Sequence, residues 1–182
     1  PVEHKSLSER FLVPPFSVLD ARQGYWQERK RAWLALGIQS ELGRGEVQNS
    51  LQSAWEVKTG NKGQDADAWA TSSIFDPVLC ELAYRWFCPS GGAVLDPFAG
   101  GSVRGIVAAI LGRKYTGIDL RPEQVEANEE QAREIVPDVL PTWICGDGLD
   151  VATLAGGEYD FVFTCPPYAD LEVYSDDPRD IS

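Results

Sequence analysis

Four short clusters hold the residues whose types and spacing suit chemistry: Asp96-Pro97-Phe98-Ala99-Gly100-Gly101-Ser102, Asp119, Gly146-Asp147 and Cys165-Pro166-Pro167-Tyr168. In the first, a carboxylate runs into a tight glycine turn and then an apolar helical pattern. Glycines let a backbone come close to a ligand. The N-terminus of the following helix offers N–H groups and a positive dipole end to an anionic group. A nicotinamide dinucleotide asks for G-x-G-x-x-G, and Gly100-Gly101-Ser102 contains no G-x-G. A P-loop asks for G-x-x-x-x-G-K-[ST]; Gly100 and Gly105 have the spacing, but Ile106-Val107 stands where Lys and Ser/Thr belong. A small ligand with charged groups of its own is left. Asp119, 23 residues after Asp96, is where an acid accepts hydrogen bonds from ribose hydroxyls. Asp147 can accept from an exocyclic amine such as adenine N6. The prolines after Cys165 fix φ and remove two N–H donors, which leaves a stiff segment with carbonyls held in place. Tyr168 adds a flat face for a planar, amine-bearing substrate. Each cluster alone also has a plain reading, as a turn or as an acid at a strand end.

The elements that must carry these clusters make them a set. Asp76 and Pro77 have the types of an N-cap and a first helical residue. Val78, Leu79, Leu82, Ala83, Trp86 and Phe87 then recur at helical spacing until Pro89-Ser90-Gly91-Gly92. Residues 93–96 read as a short buried strand. Val103, Ile106, Val107, Ile110 and Leu111 form a helical stripe ended by Gly112. Residues 115–119 predict a second strand, 122–136 a Glu-rich third helix, 142–145 a third strand and 159–164 a fourth. Alternating strands and helices imply right-handed crossovers and a parallel sheet, which binds ligands at the carboxyl ends of its strands. All four clusters fall at such ends. The fold class expected is α/β, a doubly wound, mainly parallel sheet with strand order 3-2-1-4. Strand one should end at Asp96 beside strand four near Thr164.

Upstream, residues 1–72 read as a helical and loop segment ahead of a domain over 73–182. A helix is expected at about 21–36, with Trp26, Trp33 and Leu36 on one face and Arg29, Lys30 and Arg31 near the other. Pro14-Pro15 breaks an apolar stretch, and residues 42–72 read as a connection.

The 182 residues are 43% hydrophobic and 24% charged, the balance of a chain that buries a real core in about one domain. No apolar run reaches the roughly 18 residues of a membrane span, and no basic-then-apolar leader opens the chain. Four cysteines without a C-x-x-C pair and a single histidine, His4, argue against zinc and a disulfide framework and suit a reducing cytoplasm. A chain that starts at Pro1 and has no methionine is expected to be part of a longer product. Net charge is −12, and residues 51–182 alone hold 22 acids against 9 bases. Such a surface gains nothing from nonspecific attraction to phosphates.

On these residues the chain resembles the S-adenosylmethionine-dependent DNA amino-methyltransferases, which modify adenine N6 or cytosine N4. Asp96-Pro97-Phe98-Ala99-Gly100 looks like their first motif, D-P-F-x-G-S-G. Asp119 matches the acid of the second motif, Gly146-Asp147 the third, and Cys165-Pro166-Pro167-Tyr168 the catalytic [DNS]-P-P-[YFW]. Ser73-Ile74-Phe75-Asp76-Pro77 sits where the family keeps a further cofactor motif. The stretch 73–182 is also similar to phage and prophage methylases that carry T-C-P-P-Y. There are two departures. Gly101-Ser102 replaces the usual Ser-Gly, and Cys165 replaces Asp, Asn or Ser.

The resemblance implies a Rossmann-like class I methyltransferase fold and S-adenosylmethionine as cofactor, with no metal. The cofactor residues implied are Phe75, Asp96, Pro97, Phe98, Ala99, Gly100, Gly101, Ser102, Asp119, Leu120, Gly146 and Asp147. Cys165, Pro166, Pro167 and Tyr168 would hold a base flipped out of double-stranded DNA. The setting implied is the cytoplasm of a bacterial or phage-infected cell. The family's sheet has seven strands and four are legible, so a carboxyl-terminal segment or a second chain is expected to complete it. Other readings remain open at this point: a methyltransferase for RNA or protein, a cofactor-binding module without catalysis, and a nicotinamide oxidoreductase.

Overall fold

The computed structural model describes residues 19–39, 48–49, 75–167, 172–173 and 177–180. Among them, Gly24–Leu34 forms α1, Pro77–Phe87 α2, Val103–Ile110 α3, Pro122–Ile135 α4 and Val151–Leu154 the single turn α5. The strands are β1 (Gln48–Asn49), β2 (Ala93–Asp96), β3 (Lys114–Asp119), β4 (Thr142–Cys145), β5 (Phe161–Val162) and β6 (Glu172–Val173). β4, β3, β2 and β5 make one four-stranded sheet in that order. All its pairings are parallel, with Asp96 beside Gly117, Asp119 beside Cys145 and Leu95 beside Val162. This is the expected 3-2-1-4 order. β1 and β6 pair antiparallel as a separate two-stranded sheet that the sequence reading does not foresee.

Local sequence explains the boundaries. Asp76 caps α2 by accepting from the Val78 N–H at 2.9 Å, and Pro77 opens the helix. The left-handed turn at Gly112 (φ 70°) lets the chain leave α3 directly into β3. α3 is buried on nearly every side, between the sheet and α2, through Val103, Ile106, Val107, Ala108 and Ala109. Ile110, at the end of its stripe, is exposed. So are Leu79, Trp86 and Phe87, the outer members of the α2 pattern.

Three expectations change. The fourth strand is shorter than 159–164: only Phe161–Val162 is laddered, although Asp160 and Phe163 still donate to the carbonyls of Ala93 and Leu95. α1 starts at Gly24, because the Asp20 carbonyl and carboxylate take the N–H groups of Gln23 and Arg22 in a turn. The faces of α1 also differ from the reading. Trp26 and Trp33 are buried, but Leu36 lies beyond the helix and is exposed. Arg29 and Lys30 point inward to acids on and before α2 instead of outward.

Those acids dock α1. Glu81, 1% exposed in the middle of α2, accepts from Arg29, from Arg85 Nε at 2.9 Å and from Trp33 Nε1 at 2.8 Å. Asp76 accepts from Trp26 Nε1 at 3.1 Å and pairs with Lys30 at 3.4 Å. Trp26, Trp33 and Ile38 thereby join the same apolar cluster as the helices around the sheet. Pro14-Pro15, most of 42–72 and the segment leading up to Phe75 lie outside the described residues.

Burial alone would raise the Glu81 pKa, but the donors from Arg29, Trp33 and Arg85 outweigh it and hold the carboxyl below its usual value. A lowered carboxyl stabilises the fold above its unfolded pKa, and that stability fades as pH falls through the folded value. Denaturant titrations should therefore show stability falling below about pH 4.5, the unperturbed value. Glu81→Gln should lower stability near pH 7 by about 1–3 kcal/mol and flatten this acid limb.

Candidate functional site

The sequence clusters meet at the carboxyl ends of the four parallel strands. The 97–102 turn leaves β2 and crosses toward β3. The Ala99 N–H donates to the Ile118 carbonyl at 2.8 Å, and the Gly100 N–H donates to Asp119 Oδ2 at 2.9 Å. Gly100 has φ 52°, a left-handed backbone that its missing side chain makes cheap. The Phe98 N–H donates to Thr164 Oγ1 at 3.1 Å, which ties the turn to the start of the Cys165-Pro166-Pro167 segment. The Gly146 N–H donates to the Asp119 carbonyl at 2.9 Å, and Cys145 Sγ lies 3.7 Å from the Leu120 carbonyl. A Cβ at Gly148 would run into the Pro97 carbonyl oxygen and lie against the Phe98 ring. The loop after β4 thus rests directly on the loop after β2.

The three acids have different surroundings. Asp96 is fully buried: its Oδ2 accepts from Arg104 Nε and from the Tyr115 hydroxyl, each at 2.6 Å. Its Oδ1 is buried with no hydrogen-bond partner among the described residues. Burial, and then the Asp96 charge, pushes the Tyr115 phenol well above its usual range, so it stays a donor. Asp119 is half-buried, with Oδ1 accepting from the Arg121 N–H at 3.0 Å and Oδ2 taken by Gly100. Both contacts orient the carboxylate at the strand end. Asp147 is half-buried, and its Oδ1 caps the following turn by accepting from the Leu149 N–H at 2.9 Å.

Phe75 meets the Phe163 ring edge-on at 5.5 Å, and the Arg104 guanidinium lies 4.6 Å from its centroid. Gly101 and Cys165 are half-buried, Pro166 is exposed and Pro167 is half-buried. Tyr168 lies outside the described residues. The structure therefore brings Asp96 through Ser102, Asp119, Leu120, Gly146, Asp147 and the 164–167 stub to one end of the sheet. Among the described residues no group of three His, Cys, Asp or Glu side chains is arranged to hold a metal, and no helix is long and apolar enough to cross a membrane.

Two features escape a reading of the sequence. Arg104, 5% exposed at its side chain, sends Nη2 to the carbonyls of Phe98 (2.7 Å) and Ala99 (2.8 Å) while its Nε holds Asp96. The available signal was a lone cation inside the apolar stripe of α3, eight residues after Asp96. The second is an amide ladder on α4. Gln124, Asn128 and Gln131, at 0%, 2% and 3% exposure, share the buried face at i, i+4, i+7 spacing. Gln124 donates to Asn128 (3.0 Å), Asn128 donates to the Gly100 carbonyl (2.7 Å), and Gln131 accepts from the Ser102 hydroxyl (2.5 Å). The spacing was visible, but a search for apolar periodicity passes over amides.

A family model described as DNA methylase, of the N6/N4 type, matches residues 19–130. The match contains the first cluster and Asp119 and ends before Asp147 and Cys165. A search of the curated proteins found no match. Similar solved structures include TrmN from Thermus thermophilus, at 24% identity and TM-score 0.48 over 55% of this chain and 31% of that one. The SAM-dependent methyltransferase from Agrobacterium tumefaciens matches at 22% identity and TM-score 0.43, over 52% of this chain and 33% of that one. Magnesium protoporphyrin IX methyltransferase from Synechocystis PCC 6803, solved with bound SAM, matches at 21% identity and TM-score 0.41 over 63% and 55%. The chain thus spans about a third of the first two.

Because the two loops touch at Gly148, Gly148→Ala should force them apart and cost about 1–3 kcal/mol, as overpacking typically does. Gly156→Ala, where a Cβ meets nothing within 4 Å, should change stability by no more than about 0.5 kcal/mol. Urea denaturation of both variants checks the contrast.

Proposed function

Since the chain belongs to the DNA methylase family of the N6/N4 type, we propose that it is the cofactor-binding part of an S-adenosylmethionine-dependent methyltransferase acting on an exocyclic amine of a DNA base. The observation that carries this reading is the convergence of a glycine turn, two half-buried acids and a proline-stiffened stub at the carboxyl ends of four parallel strands. The buried Asp96 Oδ1, which lacks a partner among the described residues, fits a site that expects a donor from a bound molecule or water.

In this reading Phe75, Asp96 to Ser102, Asp119 with Leu120, and Gly146-Asp147 hold the cofactor. Asp119 receives the ribose hydroxyls and Asp147 the adenine amine. When bound, the cofactor supplies a methyl group activated on a sulfonium. The chain contributes positioning and fixed dipoles. The Pro166 carbonyl, stiffened between two prolines, accepts a hydrogen bond from the target amine and holds it in place. Cys165 is a weaker second acceptor, because a thiol accepts poorly. Tyr168 stacks on the flipped base. Double-stranded DNA as substrate, a cytoplasmic setting and a further segment or second chain completing the sheet belong to the same proposal. The excess of acids over bases in 51–182 favours a second reading, in which the methyl acceptor is a protein side chain and not a nucleic acid.

Titration calorimetry of the chain with S-adenosylmethionine and with NAD tests the cofactor assignment. S-adenosylmethionine should bind and NAD should not, and Asp119→Ala should weaken binding at least tenfold. Preference for NAD, or unchanged affinity in Asp119→Ala, would overturn it. Mass analysis of nucleosides from DNA exposed to the complete gene product separates a DNA target from the second reading. Single-turnover rates of that product then probe the stub. Cys165→Asn should keep or raise the rate and Cys165→Ala should lower it little. Tyr168→Ala should lower it more, because base–aromatic stacking is worth roughly 1–3 kcal/mol.

A further inference from the structure

We propose that Arg104 is a positioning residue that presets the 97–102 turn for its ligand, clamping the carbonyls of Phe98 and Ala99 and the carboxylate of Asp96 with one buried guanidinium. The inference rests on the reading of this turn as the cofactor loop.

Three acceptors in the first half of the turn converge on Arg104: Asp96 at its start, then two successive peptide carbonyls. With both carbonyls drawn toward the guanidinium, the peptide planes of residues 98–100 are fixed, and the Ala99 and Gly100 N–H groups are directed to Ile118 and Asp119 across the turn. The side chain and the backbone of Arg104 each have one further contact. The Phe75 ring lies beneath the guanidinium, and the Tyr84 hydroxyl donates to the backbone carbonyl of Arg104 at 3.1 Å, which anchors the main chain from which the side chain extends. Only a planar fork of donors reaches three acceptors in this arrangement, and the point charge of a lysine cannot.

Arg113 provides a matched comparison inside the same molecule. It also gathers carbonyls, those of Leu111, Tyr84 and Cys88, but it does so at the carboxyl end of α2, away from the turn. If losing a guanidinium acted only through lower global stability, both substitutions would change the turn alike, and a positioning role predicts a difference.

The experiment compares Arg104→Lys with Arg113→Lys in the 182-residue chain by two readouts. One is amide hydrogen exchange at residues 98–101 without ligand, and the other is the dissociation constant for S-adenosylmethionine. Arg104→Lys should speed exchange of the Ala99 and Gly100 amides at least tenfold and weaken binding at least tenfold. Arg113→Lys should leave both within twofold. Phe75→Leu, which removes only the ring beneath the guanidinium, should speed the same exchange about threefold and serves if Arg104→Lys does not fold. Loop exchange within twofold of the parent in Arg104→Lys, or in Phe75→Leu where that variant stands in, overturns the proposal. Equal changes in the Arg104→Lys and Arg113→Lys chains overturn it as well. A parent chain that does not bind S-adenosylmethionine rejects the cofactor reading, and the exchange data still decide whether Arg104 sets the turn.

Discussion

Asp96 and Arg104 lie eight residues apart, at the end of a strand and in the first turn of the next helix, and both are out of water. Burying two charges is expensive, and their attraction repays the cost only with good geometry and further hydrogen bonds. Both conditions are met here. Arg104 adds two carbonyls and an aromatic face, and Tyr115 adds a second donor to Asp96. Such a pair contributes little net stability, but losing one partner typically costs about 3–5 kcal/mol because the other charge is stranded. Burial would lower the Arg104 pKa, yet the Asp96 charge wins and the guanidinium stays protonated. The path of the turn between β2 and α3 is therefore tied to one ion pair in the core.

The far side of that turn is held by one acid and a set of side-chain amides. Asp119 takes the Gly100 N–H, and Asn128 donates to the Gly100 carbonyl, so this left-handed glycine is gripped at both of its polar atoms. Gln131 receives the Ser102 hydroxyl and also pairs with both backbone groups of Gln39, at 3.1 and 2.9 Å. A buried polar ladder is stabilising only when its members are satisfied, and here each amide meets a backbone group or a neighbour. The result is a turn defined by hydrogen bonds from β3, α3, α4 and the 164–167 stub at once.

The same bonds reach the amino-terminal segment. Glu81 and Asp76 hold α1 on α2, Tyr84 of α2 donates to the Arg104 backbone, and Gln131 of α4 holds Gln39. A disturbance of α1 therefore has short polar routes to both flanks of the turn. The match of the family model from residue 19 onward includes this helix as well.

Much of the architecture was legible from residue types alone, because it rests on short-range rules. Asp76-Pro77 starts a helix, Gly112 stops one, and alternating apolar patterns of two periods build a parallel sheet with order 3-2-1-4. Crossover handedness and the need for strand ends to meet one ligand were enough to set Asp96 beside the Thr164 segment. The sequence also determined which loops carry the acids, the glycine turn and the proline stub. Only the tertiary structure decided which acids are accessible. Asp96 reads like Asp119 and Asp147 in the chain, yet it is buried where they are half-buried, with one carboxylate oxygen taken by Arg104 and by Tyr115, the latter 19 residues away. The amides of α4 and the inward-facing Arg29 and Lys30 were illegible for the same reason. A polar side chain is read as solvent-facing until the partner that satisfies it is known, and those partners come from other elements.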